Sequence, residues 1–374
     1  MTAPRVLHFV SGGFSGATQV AIDLVRAARQ SGRSEPLLVL RRKRHTDALR
    51  LAQLAQEGLP FETVPGWAHV ATVTRLAQLC RRFRPQVLVA HGFPEHLDGR
   101  VAGLLAGVPA LVHVEHNSRE RYTPWRAALA RWLARRTARI VGCSEGVKVR
   151  LLELGFPAER TIAIPNGIRL EPFADADAHP WGERSAGIVM SARFARQKDH
   201  RTLIEAVALL AARGLRPPVQ LAGAGNARYR RAAEVLAAER GLGEQIRFLG
   251  FCKHVPELLM SQRICVLSTH YEGMPLALVE GMAAGCAVVG SDVVGVRELI
   301  DDGRNGRLVA AGNAQALADA LEALLRTPDA AAALARAARS DALARHSLEL
   351  MTQRYEDMIV ELAQPHSAAS RTPA

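Results

Sequence analysis

Aromatic residues are scarce: Phe, Trp and Tyr make up 5% of the 374 residues, although hydrophobic residues make up 48%. Four Trp and four Tyr, mostly outside the basic runs, give little of the stacking platform on which nucleic-acid binders rely. Cysteine is also sparse. Cys80, Cys143, Cys252, Cys265 and Cys286 are odd in number, lie in apolar or strand-like surroundings, and include no pair at metal-ligand spacing. That excludes a disulfide framework and a zinc site and reads as reduced, buried thiols. Long apolar runs are missing. The longest stretch free of loops, Val101 to Val114, contains Gly107 and Pro109 and is too short to span a bilayer. No secretory leader is visible, because the first apolar run, Val6 to Val10, is short and ends at glycines, as a first strand does. A cytoplasmic protein, soluble or peripheral on the membrane's inner face, is expected. No Asp-x-Asp pair stands at a suitable strand end, so no metal site is expected, and low-complexity repeats are absent.

What the chain does have is positive charge and alternation. The formal net charge is +12, which suits an anionic partner: nucleic acid, anionic lipid or a phosphorylated glycan. Short apolar strands alternate with helices. Arg5 to Val10, Pro36 to Leu40, Val87 to Ala90, Ala110 to Val114 and Arg139 to Gly142 read as strands, with helices over Ala17 to Ser31 and Leu49 to Glu57. A second series has strands at Gly187 to Ser191, Val219 to Gly223, Ile246 to Leu249, Ile264 to Ser268 and Ala287 to Ser291. Such runs imply parallel sheets with both faces covered. The fold class is therefore α/β, with two Rossmann-like domains facing a cleft. The expected domains are 1–168, 169–346, a helix over 347–364 that crosses back to the first domain, and a disordered tail over 365–374. Asn166 to Glu183, rich in Pro, Asp and Gly, reads as the hinge.

Three segments carry the chemistry. Ser11-Gly12-Gly13-Phe14-Ser15-Gly16-Ala17 joins a strand to a helix, where bare amides can face an anion. A dinucleotide fingerprint would need glycine at Ser11 and an acid after the second strand, where Arg41-Arg42-Lys43-Arg44 stands, so hydride transfer with NAD is disfavoured. Ser191 to Asp199 also joins a strand to a helix, and Arg193 and Lys198 can converge on a diphosphate. In the third segment, His270 to Gly285, Gly273 permits a close turn and Pro275 suits the first helical turn. The amides of Met274 and Leu276 then open toward a phosphate. Glu272 precedes the helix and Glu280 lies two turns along it, two carboxylates able to accept from hydroxyls.

The Glu272-x7-Glu280 segment resembles the signature of the family 4 glycosyltransferases, which have the GT-B fold. The Gly12-Gly13 and Ser15-Gly16-Ala17 loop, Glu115-His116-Asn117, Pro165-Asn166-Gly167, Arg193 with Lys198, Phe248-Leu249-Gly250-Phe251 and Asn305-Gly306 resemble further motifs of that family, in order along almost the whole chain. The resemblance implies a retaining hexosyltransferase that uses a nucleotide-diphosphate sugar, UDP- or GDP-linked, as donor substrate and no separate cofactor. It implies that Arg193 and Lys198 hold the two phosphates. The Gly273, Met274, Pro275 and Leu276 segment would hold the sugar and distal phosphate. Glu272 would contact sugar hydroxyls and Glu280 the ribose. Gly13 and Gly16 would close over the phosphates, and His116 would hold a sugar hydroxyl near the anomeric centre. The acceptor would be a glycan or lipid-linked glycan, in lipopolysaccharide or other surface-polysaccharide synthesis. An epimerase or glycan phosphorylase of the same fold is the rival reading, and a basic nucleic-acid-binding protein a more distant one.

The first half carries an Arg-dense segment, Arg119 to Arg139. As a helix from Pro124 it would place Trp125, Leu129, Trp132 and Leu133 on one face and arginines elsewhere. With Arg41 to Arg44, this pattern suits an anionic membrane surface.

Overall fold

The computed structural model describes residues 3–44, 46–119 and 122–364; the expected tail over 365–374 lies outside them. The chain divides into two compact units. The first takes in the chain to Asn166 and again from Glu349 onward, and the second is Gly167–Leu348.

In the first unit seven strands, β1 (Arg5–Ser11), β2 (Glu35–Arg41), β3 (Phe61–Val64), β4 (Val87–His91), β5 (Ala110–Glu115), β6 (Arg139–Gly142) and β7 (Thr161–Ala163), form a parallel sheet in the order β3-β2-β1-β4-β5-β6-β7. The central strands are mostly apolar because helices cover both faces: Val6, Leu7, Phe9 and Val10 of β1 are all fully buried. Helix Gly16–Ser31 packs Val20, Ala21, Leu24, Val25 and Ala28 inward. It stops at Gly32, whose left-handed φ of 67° lets its amide reach back to Ala28 O. The last helix, Leu348–Ala363, returns to this unit. Arg33 binds Glu356 (3.3 Å) and Asp357 (2.8 Å), Arg139 binds Glu361 (2.8 Å), and Tyr355 is fully buried.

The second unit repeats the plan. Strands β8 (Ser185–Ser191), β9 (Val219–Ala222), β10 (Ile246–Gly250), β11 (Gln262–Leu267), β12 (Ala287–Ser291) and β13 (Arg307–Val309) form a parallel sheet in the order β10-β9-β8-β11-β12-β13. Its core takes Leu203, Ile204, Val207 and Leu210 from helix His200–Ala212 and Leu278, Val279 and Met282 from helix Leu276–Ala283.

Strand order reverses between β1 and β4 in one sheet and between β8 and β11 in the other. Loops at the carboxyl ends of those strands diverge and leave room for ligands. Among the described residues, β3, β7 and β13 are the strands that sequence periodicity does not announce. All three lie at sheet edges, have only three or four residues, and are mostly half-buried, so no continuous apolar run marks them. All five cysteines are free thiols; four are buried and Cys252 is half-buried.

Candidate active site

In the second unit the site is made by two strand-to-helix crossings that are neighbours in the sheet, those after β8 and β11. The segment after β8 and the segment after β11 clasp each other through the backbone. His270 N donates to Gln197 O (2.9 Å) and Asp199 N to Ser268 O (3.0 Å). Gln197 Nε2 adds a bond to Tyr271 O (2.6 Å). Asp199 then caps helix His200–Ala212 through Thr202 N. The clasp brings Lys198 Nζ onto Glu272 Oε1, which also accepts from Thr269 Oγ1 (2.8 Å). Glu272 is 6% exposed. Lys198 and Glu272, 74 residues apart, are thus direct partners. Sequence reasoning placed them in one site but aimed each at the ligand alone. Arg193 differs. It is exposed between buried Ala192 and Phe194 and has no ion-pair partner among the described residues.

Pro275 is the residue before helix Leu276–Ala283 rather than within its first turn. Its carbonyl accepts from Leu278 N (3.0 Å), while the amides of Leu276 and Ala277 find no partner among the described residues. They are the open donors of a helix start. Gly273 and Met274, before it, are buried. Glu280 lies further along the helix, half-buried, and desolvation pushes its carboxyl up to about 7.

Two residues support this loop in ways the sequence does not show, although Gly290-Ser291-Asp292 also resembles a motif of the family. Ser291 Oγ, at the end of β12, accepts from Thr269 N (2.9 Å). Gly295 lies so close beneath the loop that a Cβ there would stand 2.2 Å from Gly273 O and 2.9 Å from Glu272 O. Glycine is therefore required by contact, not by a turn.

In the first unit the glycine loop packs on β2. Gly12 N donates to Arg41 O (2.8 Å), and a Cβ on Gly12 would meet the same oxygen. Gly13 N turns onto Ser11 Oγ (3.3 Å), so its amide is engaged within the loop. Gly16 opens the helix, and no heavy atom would meet a Cβ there within 4 Å.

His116 follows β5 and is half-buried. Its amide donates to Glu115 Oε1 (2.9 Å). Its Nε2 lies 3.2 Å from His91 Nδ1, and His91 Nε2 lies 3.2 Å from His8 Nδ1. Burial lowers His8 and His116 to about 4 and His91 well below its ordinary value, so all three are neutral at pH 7. On the other face of the sheet, His96 stacks on His113 with centroids 3.9 Å apart. Ligand atoms of His96, His113 and Glu115 fall within 4.8 Å of one another. Buried Arg100 points Nη2 at His96 Nδ1 (2.6 Å), and His96 Nε2 meets Tyr122 Oη (2.9 Å). A guanidinium has only protons to offer, so His96 Nδ1 is the acceptor and Nε2 keeps its hydrogen for Tyr122.

The basic elements are less uniform than the sequence suggests. Arg41 is buried against Glu95 (3.4 Å), and Lys43 binds the same carboxylate (2.8 Å), which leaves Arg42 and Arg44 exposed. Helix Pro124–Ala134 buries Ala130, Leu133 and Ala134. Trp125 and Trp132 lie off that face, 61% and 46% exposed, with Arg126 and Arg136 over their rings. The expected single face of Trp125, Leu129, Trp132 and Leu133 is therefore split: Leu133 turns inward with Ala130 and Ala134, and the helix packs against helix Glu95–Ala106. Glu120 and Arg121 of that segment lie outside the described residues.

Two family models match the chain: "Glycosyltransferase Family 4" over residues 14–172 and "Glycosyl transferases group 1" over residues 174–341. The lipopolysaccharide core biosynthesis glycosyltransferase LpsE of Rhizobium meliloti is 24% identical over 371 residues, covering 95% of this chain and 98% of that protein. The UDP-Gal:alpha-D-GlcNAc-diphosphoundecaprenol alpha-1,3-galactosyltransferase of Escherichia coli is 25% identical over 262 residues, 66% of this chain and 68% of that protein. Among solved structures, Anabaena HepE in complex with UDP-glucose is similar with a TM-score of 0.83 at 22% identity, covering 96% of this chain and 100% of that one.

Proposed function

The chain belongs to the family 4 glycosyltransferases, has their GT-B fold and is a glycosyl-transferring enzyme, and we propose that it moves a hexose-type sugar from a nucleotide-diphosphate sugar with retention of configuration and without a metal ion. The observation that carries this reading is the grouping in the second unit of the Lys198–Glu272 pair and the open Leu276 and Ala277 amides beside exposed Arg193. A departing nucleoside diphosphate gains negative charge as the sugar becomes oxocarbenium-like. Fixed cations and amides stabilise that state more than the ground state.

In this reading Arg193 and Lys198 hold the diphosphate, the Gly273, Met274, Pro275 and Leu276 segment holds the distal phosphate and sugar, and Glu272 accepts from sugar hydroxyls. A diphosphate would draw Lys198 from Glu272 and free that carboxylate for the sugar. Glu280 accepts from the ribose. Gly16 and His116 of the first unit act on the phosphates and the sugar. Gly13 contributes loop shape, since its amide is engaged with Ser11. Metal independence is supported by the same cations. It is also supported by His96, where Arg100 and Tyr122 occupy both ring nitrogens, so a divalent ion would meet a buried guanidinium.

The donor is UDP- or GDP-linked. The acceptor is a glycan or lipid-linked glycan of a surface polysaccharide, a proposal supported by what the Rhizobium and Escherichia relatives are named for. Among the described residues no helix is long and apolar enough to cross a membrane. We place the enzyme at the inner face of the cytoplasmic membrane, with exposed Trp125 and Trp132 and the nearby arginines toward anionic lipid. The test is transfer from a panel of UDP- and GDP-sugars to lipid-linked and free glycans in EDTA, with the product's anomeric coupling read by NMR. An α-linked product from an α-donor is expected; an inverted product, or an absolute need for a divalent ion, would overturn the mechanism.

A further inference from the structure

His116 is the end of a row, not a lone imidazole. His8 lies on β1, His91 at the end of β4 and His116 just past β5, three neighbouring strands of one sheet. Their rings stack at centroid distances of 5.5 Å with interplanar angles of 26° and 21°. Nitrogen faces nitrogen at 3.2 Å in both gaps. His8 and His91 are each 1% exposed, and position 8 is flanked by fully buried Leu7 and Phe9. A buried imidazole costs stability unless both its nitrogens are used, and nothing in the apolar pattern of β1 calls for one.

We propose that His91 and His8 are positioning residues that fix which proton state His116 presents to the donor sugar. The proposal rests on the reading of His116 as the residue that holds a sugar hydroxyl. A neutral imidazole carries one hydrogen, so it donates from one nitrogen and accepts at the other. Three in a row then have only two consistent arrangements. If His8 Nδ1 donates to His91 Nε2, His91 Nδ1 must donate to His116 Nε2, and His116 Nδ1 is left protonated, a donor. If His116 Nε2 donates inward, every hydrogen moves to the other nitrogen and His116 Nδ1 is an acceptor. Mixed arrangements place two hydrogens or two lone pairs in one gap. A lone imidazole would sample both tautomers and turn about χ2. The row ties His116's tautomer and ring angle to those of His91 and His8, so the two arrangements exchange only together. The surroundings of buried His8 at the far end bias which one is held before the sugar arrives, which is the preorganisation that electrostatic catalysis requires.

The two nitrogens of His91 can be replaced one at a time. Asn puts an amide near the Nδ1 position, facing His116; Gln puts one near the Nε2 position, facing His8. In full-length protein labelled with 15N-histidine, the wild type should show His116 as a single neutral tautomer. Both variants should show a mixture, because an amide can turn either its oxygen or its NH2 into the gap and no longer relays the state of His8. A tautomer mixture at His116 in the wild type, or a single tautomer in either variant, overturns the proposal. Kinetics use whichever of UDP-glucose, UDP-galactose and GDP-mannose the wild type turns over fastest. Both variants should lose kcat with donor KM within about twofold, His91→Gln by about tenfold and His91→Asn by less, since its amide still meets His116 Nε2 and limits the turning of that ring. Equal kcat in the two variants also overturns the proposal. His116→Ala, run alongside, tests the parent reading separately: full activity there removes His116 from the reaction whatever the spectra show.

Discussion

The two units use one architecture and opposite electrostatics. In the second, the site is built around charged side chains, and Lys198 and Glu272 neutralise each other at contact. In the first, the middle of β1, the end of β4 and the residue just past β5 carry His8, His91 and His116, desolvated until they are neutral and joined nitrogen to nitrogen. A paired cation and carboxylate can be separated by a diphosphate that offers the cation a better partner. A row of neutral imidazoles cannot take on charge cheaply, but it can hold direction. In the proposed reading the second unit binds the charged leaving group, and the first presents uncharged groups to a sugar.

The largest expected effect breaks the charged side of this contrast. Glu272→Gln or Lys198→Ala should cost at least about 100-fold in turnover, about 3 kcal/mol. Each single change also strands a buried charge and should lower thermal stability. The double variant Lys198→Met with Glu272→Gln should recover stability but not activity; recovery of both would make the pair merely structural.

The neutral side breaks through pH. An imidazole held near 4 in the folded protein but titrating near ~6.5 when unfolded binds more protons unfolded, so its contribution to stability is full above about 6.5 and is lost as pH falls toward 4. His8 alone should cost about 2 kcal/mol between pH 7 and pH 5. Denaturant midpoints at the two pH values should differ less in His8→Gln than in the wild type, and an unchanged difference would contradict the burial.

Gly295→Ala sharpens the comparison without touching a charge. Its Cβ would displace the Glu272–Gly273 backbone, so donor KM should rise about tenfold, roughly 1.4 kcal/mol. The smallest effect comes from Glu280. With its carboxyl near 7, it is increasingly protonated below neutrality and loses capacity to accept from ribose hydroxyls. kcat/KM for the donor should therefore fall a few-fold from pH 7.5 to 6, and this limb should vanish in Glu280→Gln.

The contrast also explains what was legible in the sequence. The second unit's site is written in two continuous segments, Ser191 to Asp199 and His270 to Glu280, and Gly273 and Pro275 mark the strand-to-helix turn of the second. Periodicity recovered the central strands and their alternation with helices because both faces are buried. The half-buried edge strands β3, β7 and β13 left no such pattern. The Lys198–Glu272 contact needed the backbone clasp between two crossings, which no local pattern encodes. His8 and His91 were hidden for a related reason. Each ends or interrupts an apolar run, as an ordinary core histidine would, and their bond spans 83 residues. The usable signal was topological: in a sheet ordered β1-β4-β5, one histidine within β1, one ending β4 and one just past β5 lie on adjacent strands, and only the register brings their rings together. Ser291 and Gly295 support the loop from beyond the motif, and only the packed backbone reveals them.

The most direct test is calorimetric titration of UDP-glucose, UDP-galactose and GDP-mannose into the wild type and Lys198→Ala, both in EDTA. At least one nucleotide sugar should bind the wild type without divalent ions, and Lys198→Ala should weaken that binding by about tenfold or more. Binding that appears only with a divalent ion, or that Lys198→Ala leaves unchanged, would contradict a second unit that grips the donor's diphosphate with its own cations.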